Sequence, residues 1–164
     1  MSDGVGMRVA LVTGAGRRVG RAIALDLAAH GWAVAVHHHA SATDARAVVD
    51  RIRGAGGQAE AFAADLTEAT AVDALIPAAA AWRGRLDALV CSAAGMVRTP
   101  IGSTTAAMVD EILALNLRAP FLLGQGAAAH RRTGAPSCSS VTIWPMRSGP
   151  TSRCTASRRP ACMR

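Results

Sequence analysis

The chain has 164 residues, half of them hydrophobic, and a formal net charge of +7 carried by arginine alone, since no lysine occurs. That length accommodates one domain with a real core, and no apolar run approaches the ~20 residues a membrane span requires. Residues 1–7 hold no basic stretch followed by an apolar one, so no signal peptide is evident and a cytoplasmic location is expected.

The positive charge is unevenly placed. All 11 acidic residues lie within residues 1–130 beside an equal number of arginines, so the whole excess sits in residues 131–164. Cys138, Cys154 and Cys162 and four of the seven prolines fall there too. Their spacing is no zinc pattern, and a cytoplasmic chain argues against disulfides. The tail has no Tyr or Phe on which bases could stack, so nucleic acid is not an expected partner. The sequence thus divides into a domain over 1–130 and an atypical Arg/Cys/Pro-rich tail over 131–164.

In chain order, Val9 to Val12 reads as a buried strand that breaks at Thr13-Gly14. Val19, Ala22, Ile23 and Leu27 then recur at helical spacing to about His30, with Gly31 as the stop. Trp32 to His37 is a second strand, ending in His37-His38-His39. Ala42 to Arg53 is helical, with Ala45, Val48, Val49 and Ile52 on one face. Gln58 to Ala64 is a third strand, followed by Asp65-Leu66-Thr67 and a helix to about Trp82 that continues through Pro77. Leu86 to Cys91 is a fourth strand, and Ala106 to about His130 is predicted as one long helix. Strands alternating with such helices imply an α/β fold with a parallel sheet covered on both faces. Right-handed crossovers give the doubly wound order 3-2-1-4, with a ligand crevice at the carboxyl ends of strands 1 and 4.

The strand, glycine turn and helix start around Gly14 and Gly20 form a phosphate-binding geometry. Free backbone N–H groups and the positive helix end converge, and glycine permits close approach. Dinucleotide folds that prefer NAD place a carboxylate at the end of strand 2. Here that end carries His39, Ala40 and Ser41, with Arg17 and Arg18 nearby. A carboxylate would repel a 2′-phosphate, whereas imidazole, hydroxyl and guanidinium would hold one, so NADP(H) is the expected cofactor. The three histidines alternate faces along a strand and cannot converge on one metal ion. Asp65 could accept from an adenine amino group or simply cap the next helix. Small residues Ser92 to Gly95, Ala93 among them, would let a cofactor lie against the backbone.

Together these features resemble the short-chain dehydrogenase/reductase family over residues 7 to about 130. The stretch Thr13-Gly14-Ala15-Gly16-Arg17-Arg18-Val19-Gly20 is similar to its Thr-Gly-x-x-x-Gly-x-Gly motif, with Arg18 in place of the middle glycine. That replacement, and His37-His38-His39-Ala40-Ser41, resemble the pteridine-reductase branch, whose members use NADPH. Leu89-Val90-Cys91-Ser92-Ala93 occupies the place of the family's Asn-Asn-Ala-Gly stretch. Asn116-Leu117-Arg118-Ala119-Pro120-Phe121 resembles the helix bearing the catalytic asparagine.

The resemblance implies a Rossmann-type sheet, incomplete on its C-terminal side, and cofactor contacts from Gly14, Arg17, Arg18, Val19, Gly20, His39, Ser41, Asp65, Leu66 and Ala93. It also implies that Asn116 bends its helix and holds a proton-relay water, that carbonyl or pterin-like C=N groups are the substrates, and that the parent enzymes are homo-oligomers. Reduction of a 3-oxoacyl carrier protein is an alternative within the family, and an inactive nucleotide-binding fragment is one outside it. Catalysis there also needs Ser, a Tyr acid and a Lys that lowers its pKa. This chain contains neither tyrosine nor lysine. A one-base shift of suitably chosen codons, beginning somewhere between about Gly124 and Ser137, would create a strand ending in Ser at Val141, with Tyr at Thr155 and Lys at Arg159. The tail is therefore read as out of frame, leaving the edge of strand 4 open.

Overall fold

The computed structural model describes residues 7–98 and 100–130, together with the backbone of Thr142 and Ile143. The remainder of the 131–164 tail, including Val141, Thr155 and Arg159, lies outside the described residues. The elements run β1 (Val9–Val12), α1 (Arg18–Ala29), β2 (Ala33–His38), α2 (Ala42–Gly54), β3 (Ala59–Ala63), α3 (Ala69–Arg83), β4 (Ala88–Cys91), α4 (Ala106–Leu113), α5 (Ala119–Ala129) and β5 (Thr142–Ile143).

All strands pair in parallel, in the order β3-β2-β1-β4-β5. Every residue of β1 and β2 is buried, as expected of the two central strands sandwiched between helices. Successive side chains point to opposite faces, which divides the core in two. Val9, Leu11, Ala33 and Ala35 pack on Leu75, Ile76 and Ala79 of α3 and on Ala119 and Leu123 of α5. Val12, Val34 and Val36 pack on Ala24 of α1 and on Ala45, Val48, Val49 and Ile52 of α2. The α2 face read from the sequence is therefore the face in contact, whereas α1 buries Gly20 and Ala24 and leaves Val19 and Ala22 exposed, with Ile23 and Leu27 only partly covered. Truncating a side chain as enclosed as Leu11 or Ile76 to Ala costs roughly 2–5 kcal/mol.

The amino-terminal edge of the sheet is tied by Asp87. Its Oδ2 accepts the Val9 N–H at 2.7 Å, and Arg85 donates from Nε at 2.8 Å and from Nη2 at 2.6 Å. Burial raises the Asp87 pKa, but the Arg85 and Val9 hydrogen bonds and the charges of Arg85 and Arg8 outweigh it, and the carboxyl stays below its ordinary range.

Two expectations need correction. The edge of β4 is not fully open, because Val90 and Cys91 pair with Thr142 and Ile143. The run Val141 to Trp144 is β-branched and aromatic, a composition that suits a strand as written. The long helix after residue 106 is also interrupted, since Ala114–Arg118 forms a π turn between α4 and α5. Pro120 has no N–H to donate to the carbonyl of Asn116, four residues back, so the regular ladder fails at that turn. Among the described residues no helix is long and apolar enough to cross a membrane.

Candidate dinucleotide-binding site

The carboxyl ends of β1 to β4 share one edge, and every candidate residue lies there. Thr13, only 1% exposed, closes β1 onto β4. Its N–H donates to Val90 O at 2.9 Å, and its Oγ1 accepts from the N–H groups of Ser92 (2.9 Å) and Ala93 (3.0 Å). Gly14 follows at φ +64°, and a Cβ there would stand 2.9 Å from the Ala93 Cα. A Cβ on Gly20 would meet Gly14 O at 2.4 Å, so only glycine lets the first turn of α1 sit on the loop. Arg18 takes φ +47°, the left-handed conformation that the glycine of the family motif would adopt freely. Arg17, Arg18 and Val19 are all exposed.

The end of β2 is organised by His37, 1% exposed. Its Nδ1 accepts the Gly14 N–H at 3.1 Å, and its Nε2 lies 3.1 Å from Ala64 O. These partners require the neutral ring with the proton on Nε2. The Ala15 N–H donates to the His37 carbonyl at 2.9 Å. Burial lowers the imidazole pKa to about 4, despite the Ala64 hydrogen bond that favours the proton. The other two histidines turn elsewhere: His38 Nδ1 is 3.0 Å from His39 O, while exposed His39 stands 3.6 Å from Asp65. Ser41 precedes α2 without capping it through its hydroxyl, and Arg17 pairs with Asp44 in the first turn of that helix.

Asp65 is not the cap of α3, because the N-cap position belongs to Glu68. Its Oδ1 accepts from the Thr67 N–H at 2.9 Å and the Thr67 hydroxyl at 2.7 Å, an Asx turn that comes before the helix. The Thr67 hydroxyl, then the Thr67 amide, hold its pKa below the ordinary value against burial, helped by His39. Leu66 is buried, so its side chain belongs to the core.

Asn116 lies in the π turn. Its Oδ1 accepts the Gly95 N–H at 3.0 Å and its Nδ2 donates to Gly95 O at 2.7 Å. The side chain is thus a two-bond clamp on the loop after β4. The π turn is also the bend that the resemblance implies at this position. With Thr13 on Ser92 and Ala93 and Asn116 on Gly95, the first four residues of that loop are fixed.

The family model for short chain dehydrogenases matches residues 8–136. The chain belongs to that family. A hydroxynaphthalene reductase-like protein Arp2 of Metarhizium robertsii is 39% identical over 127 residues, covering 77% of this chain and 48% of the relative. The chain therefore spans about half the length of the curated relatives it matches. A short-chain dehydrogenase from Burkholderia cenocepacia, solved with NADP, is 38% identical with a TM-score of 0.73 over 75% of this chain and 50% of that one. The landomycin C-6 ketoreductase LanV, solved with NADP and rabelomycin, is 36% identical with a TM-score of 0.70 over 75% and 53%. This chain's sheet is the Rossmann-type sheet of a short-chain dehydrogenase, covering part of the usual fold.

At this edge of the short-chain dehydrogenase sheet, the roles of Thr13 and His37 and the partner of Arg17 were not read from the sequence. Thr13 carried a signal, a hydroxyl where an apolar strand meets a glycine. His37 carried one too, a polar side chain directly after the buried apolar run of β2. The Arg17–Asp44 pair had none, because it joins two elements 27 positions apart.

Proposed function

We propose that residues 7–130 are the coenzyme-binding half of an NADP(H)-dependent reductase of carbonyl or pterin-like C=N groups, and that the chain as written binds the dinucleotide without turning over. The observation that carries this reading is the glycine loop at Gly14 and Gly20, with Arg17, Arg18, His39 and Ser41 beside it and no carboxylate ending β2. Side chains at Gly14 and Gly20 would collide with Ala93 and with the loop itself, so only glycine lets the loop close against α1; His37 takes the Gly14 and Ala15 N–H groups, so an anion would be met by the amides that follow at the start of α1.

On this reading the Gly14–Gly20 backbone takes the pyrophosphate. Arg17, Arg18 and Ser41 take the 2′-phosphate with His39 at its edge, and Asp65 accepts from the adenine amino group. Ala93 offers a flat floor, and Asn116 keeps that floor in place through Gly95. NADPH supplies hydride when bound. The names of a hydroxynaphthalene reductase-like relative, of a short-chain dehydrogenase solved with NADP and of the NADP-bound ketoreductase LanV support this cofactor and a carbonyl substrate. The His37-His38-His39-Ala40-Ser41 pattern is what supports the pterin alternative. Lacking tyrosine and lysine, the chain has no phenol to protonate the substrate oxygen and no ammonium to tune one. Sequencing the gene tests the out-of-frame reading of 131–164, which fails if no frame encodes Tyr-x-x-x-Lys there.

Leu113, Leu117 and Phe121, exposed around a concave patch on α4 and α5, are read as a surface for a second copy. Titration with NADP+ and NAD+, followed by tryptophan fluorescence, tests the central reading, together with NADPH consumption over a panel of ketones and pterins. Saturable binding that favours NADP+, without consumption, is expected. No binding of either dinucleotide by a folded sample refutes it.

A further inference from the structure

Two of the three basic side chains assigned to the 2′-phosphate already face a carboxylate. Arg17 Nε donates to Asp44 Oδ2, and His39 faces Asp65 at 3.6 Å. Arg18 alone of the three has no ion pair among the described residues. Asp44 is also close to the loop itself, since a Cβ on Gly16 would lie 3.4 Å from the Asp44 Cβ and 3.1 Å from Ser41 Oγ. Gly16, Arg17, Ser41 and Asp44 therefore meet at one point, the first turn of α2 against the glycine loop.

A phosphate dianion arriving there meets a carboxylate that already holds the guanidinium it needs. Two anions competing for one cation must either share it, at a repulsive cost, or exchange it. A ribose 2′-hydroxyl carries no charge and makes no such demand. We propose that Asp44 is a specificity-determining residue that competes with the 2′-phosphate for Arg17 and so narrows the preference for NADP(H) over NAD(H). This rests on the coenzyme reading given above. Asp44 is the acid in the first turn of α2, where the helix N-terminus favours a negative charge, so it also has a structural reason to be there. The two roles separate by measurement.

The full chain is titrated with NADP+ and with NAD+ at pH 8, where the 2′-phosphate is doubly charged, in native form and as Asp44→Asn. The amide keeps an oxygen for Arg17 but loses the charge. NADP+ affinity is expected to rise about tenfold, a charge-pair effect at a partly exposed site, while NAD+ affinity changes less than twofold. The gain should vanish when Arg17→Gln is already present, because the competition runs through that guanidinium. Asp44→Ser, which retains a side chain suited to a helix start, is the second variant should the amide unfold α2, as read by the thermal melt. An NADP+ affinity that stays level or falls overturns the proposal, as does an equal gain for both dinucleotides or a gain that persists without Arg17. Failure of the native chain to bind either dinucleotide is a different result and overturns the coenzyme reading instead.

Discussion

Acidification from pH 7.5 to pH 5 should destabilise this domain mainly through His37. The imidazole is enclosed, receives the Gly14 N–H on Nδ1, and lies against Ala64 O through Nε2. A protonated ring would put two donors face to face at Gly14. Burial therefore holds the folded-state pKa at about 4, below the 6.5 of a free imidazole. Above pH 6.5 both states are neutral and the interaction contributes fully. Between 6.5 and 4 the unfolded chain takes up a proton that the folded chain refuses, so stability falls with pH. At pH 5 the loss is about 2 kcal/mol, growing to roughly 3 kcal/mol at pH 4, since each unit of displacement is worth about 1.4 kcal/mol. Urea unfolding followed by circular dichroism at pH 7.5, 6 and 5 measures it. His37→Asn supplies the comparison: its amide oxygen still reaches Gly14 but does not titrate. The variant should begin about 1 kcal/mol less stable, having lost the Ala64 bond, and then remain nearly level to pH 5. Equal losses in both proteins would refute the assignment to His37.

Thr13→Val should cost about 2–3 kcal/mol, because it strands the Ser92 and Ala93 N–H groups without an acceptor; urea midpoints check this, and dinucleotide affinity should fall in parallel. Asp87→Asn should destabilise by roughly 1–3 kcal/mol at pH 7 through the lost Arg85 pair. The Asp87 carboxyl is held below its unfolded value, so its contribution is present above about pH 4 and disappears as pH falls through the folded pKa; denaturation of the two proteins should converge in acid. Arg18→Gly should relieve about 1 kcal/mol of backbone strain at φ +47° and raise the melting temperature, yet weaken NADP+ binding. Leu117→Glu should reduce self-association in sedimentation velocity without lowering the melting temperature, because that side chain is 65% exposed.

Most of the sheet was legible because its signal is local and strong. Val9 to Val12 and Ala33 to Val36 are continuous apolar runs next to helices whose buried faces recur at the right spacing. The glycine loop was legible for the same reason, as was Arg18 standing at a glycine's position. Asn116 was found through the family pattern, although its two bonds to Gly95 depend on a loop 21 residues away. The Arg17–Asp44 pair and the His37 tie to Ala64 join separate elements, and no spacing rule exposes them. Periodicity alone missed the interruption of the helix, because the apolar pattern runs through it and the cause is the single missing donor of Pro120, although the family pattern implied a bend at Asn116. Asp65 was ambiguous since a turn and a helix cap ask for the same residue type.

The π turn at Ala114–Arg118 adds about one residue to a single coil, which rotates everything beyond it by roughly 100° relative to an unbroken rod. No residue of α4 before that point is buried, whereas Ala119, Pro120 and Leu123 just after it sink against the sheet and α3. One proline thus passes the rod from solvent to core, and it does so at the residue that grips Gly95. Shortening the segment by one position would straighten the rod, yet it would swing either the asparagine away from its loop or the leucines away from the interior.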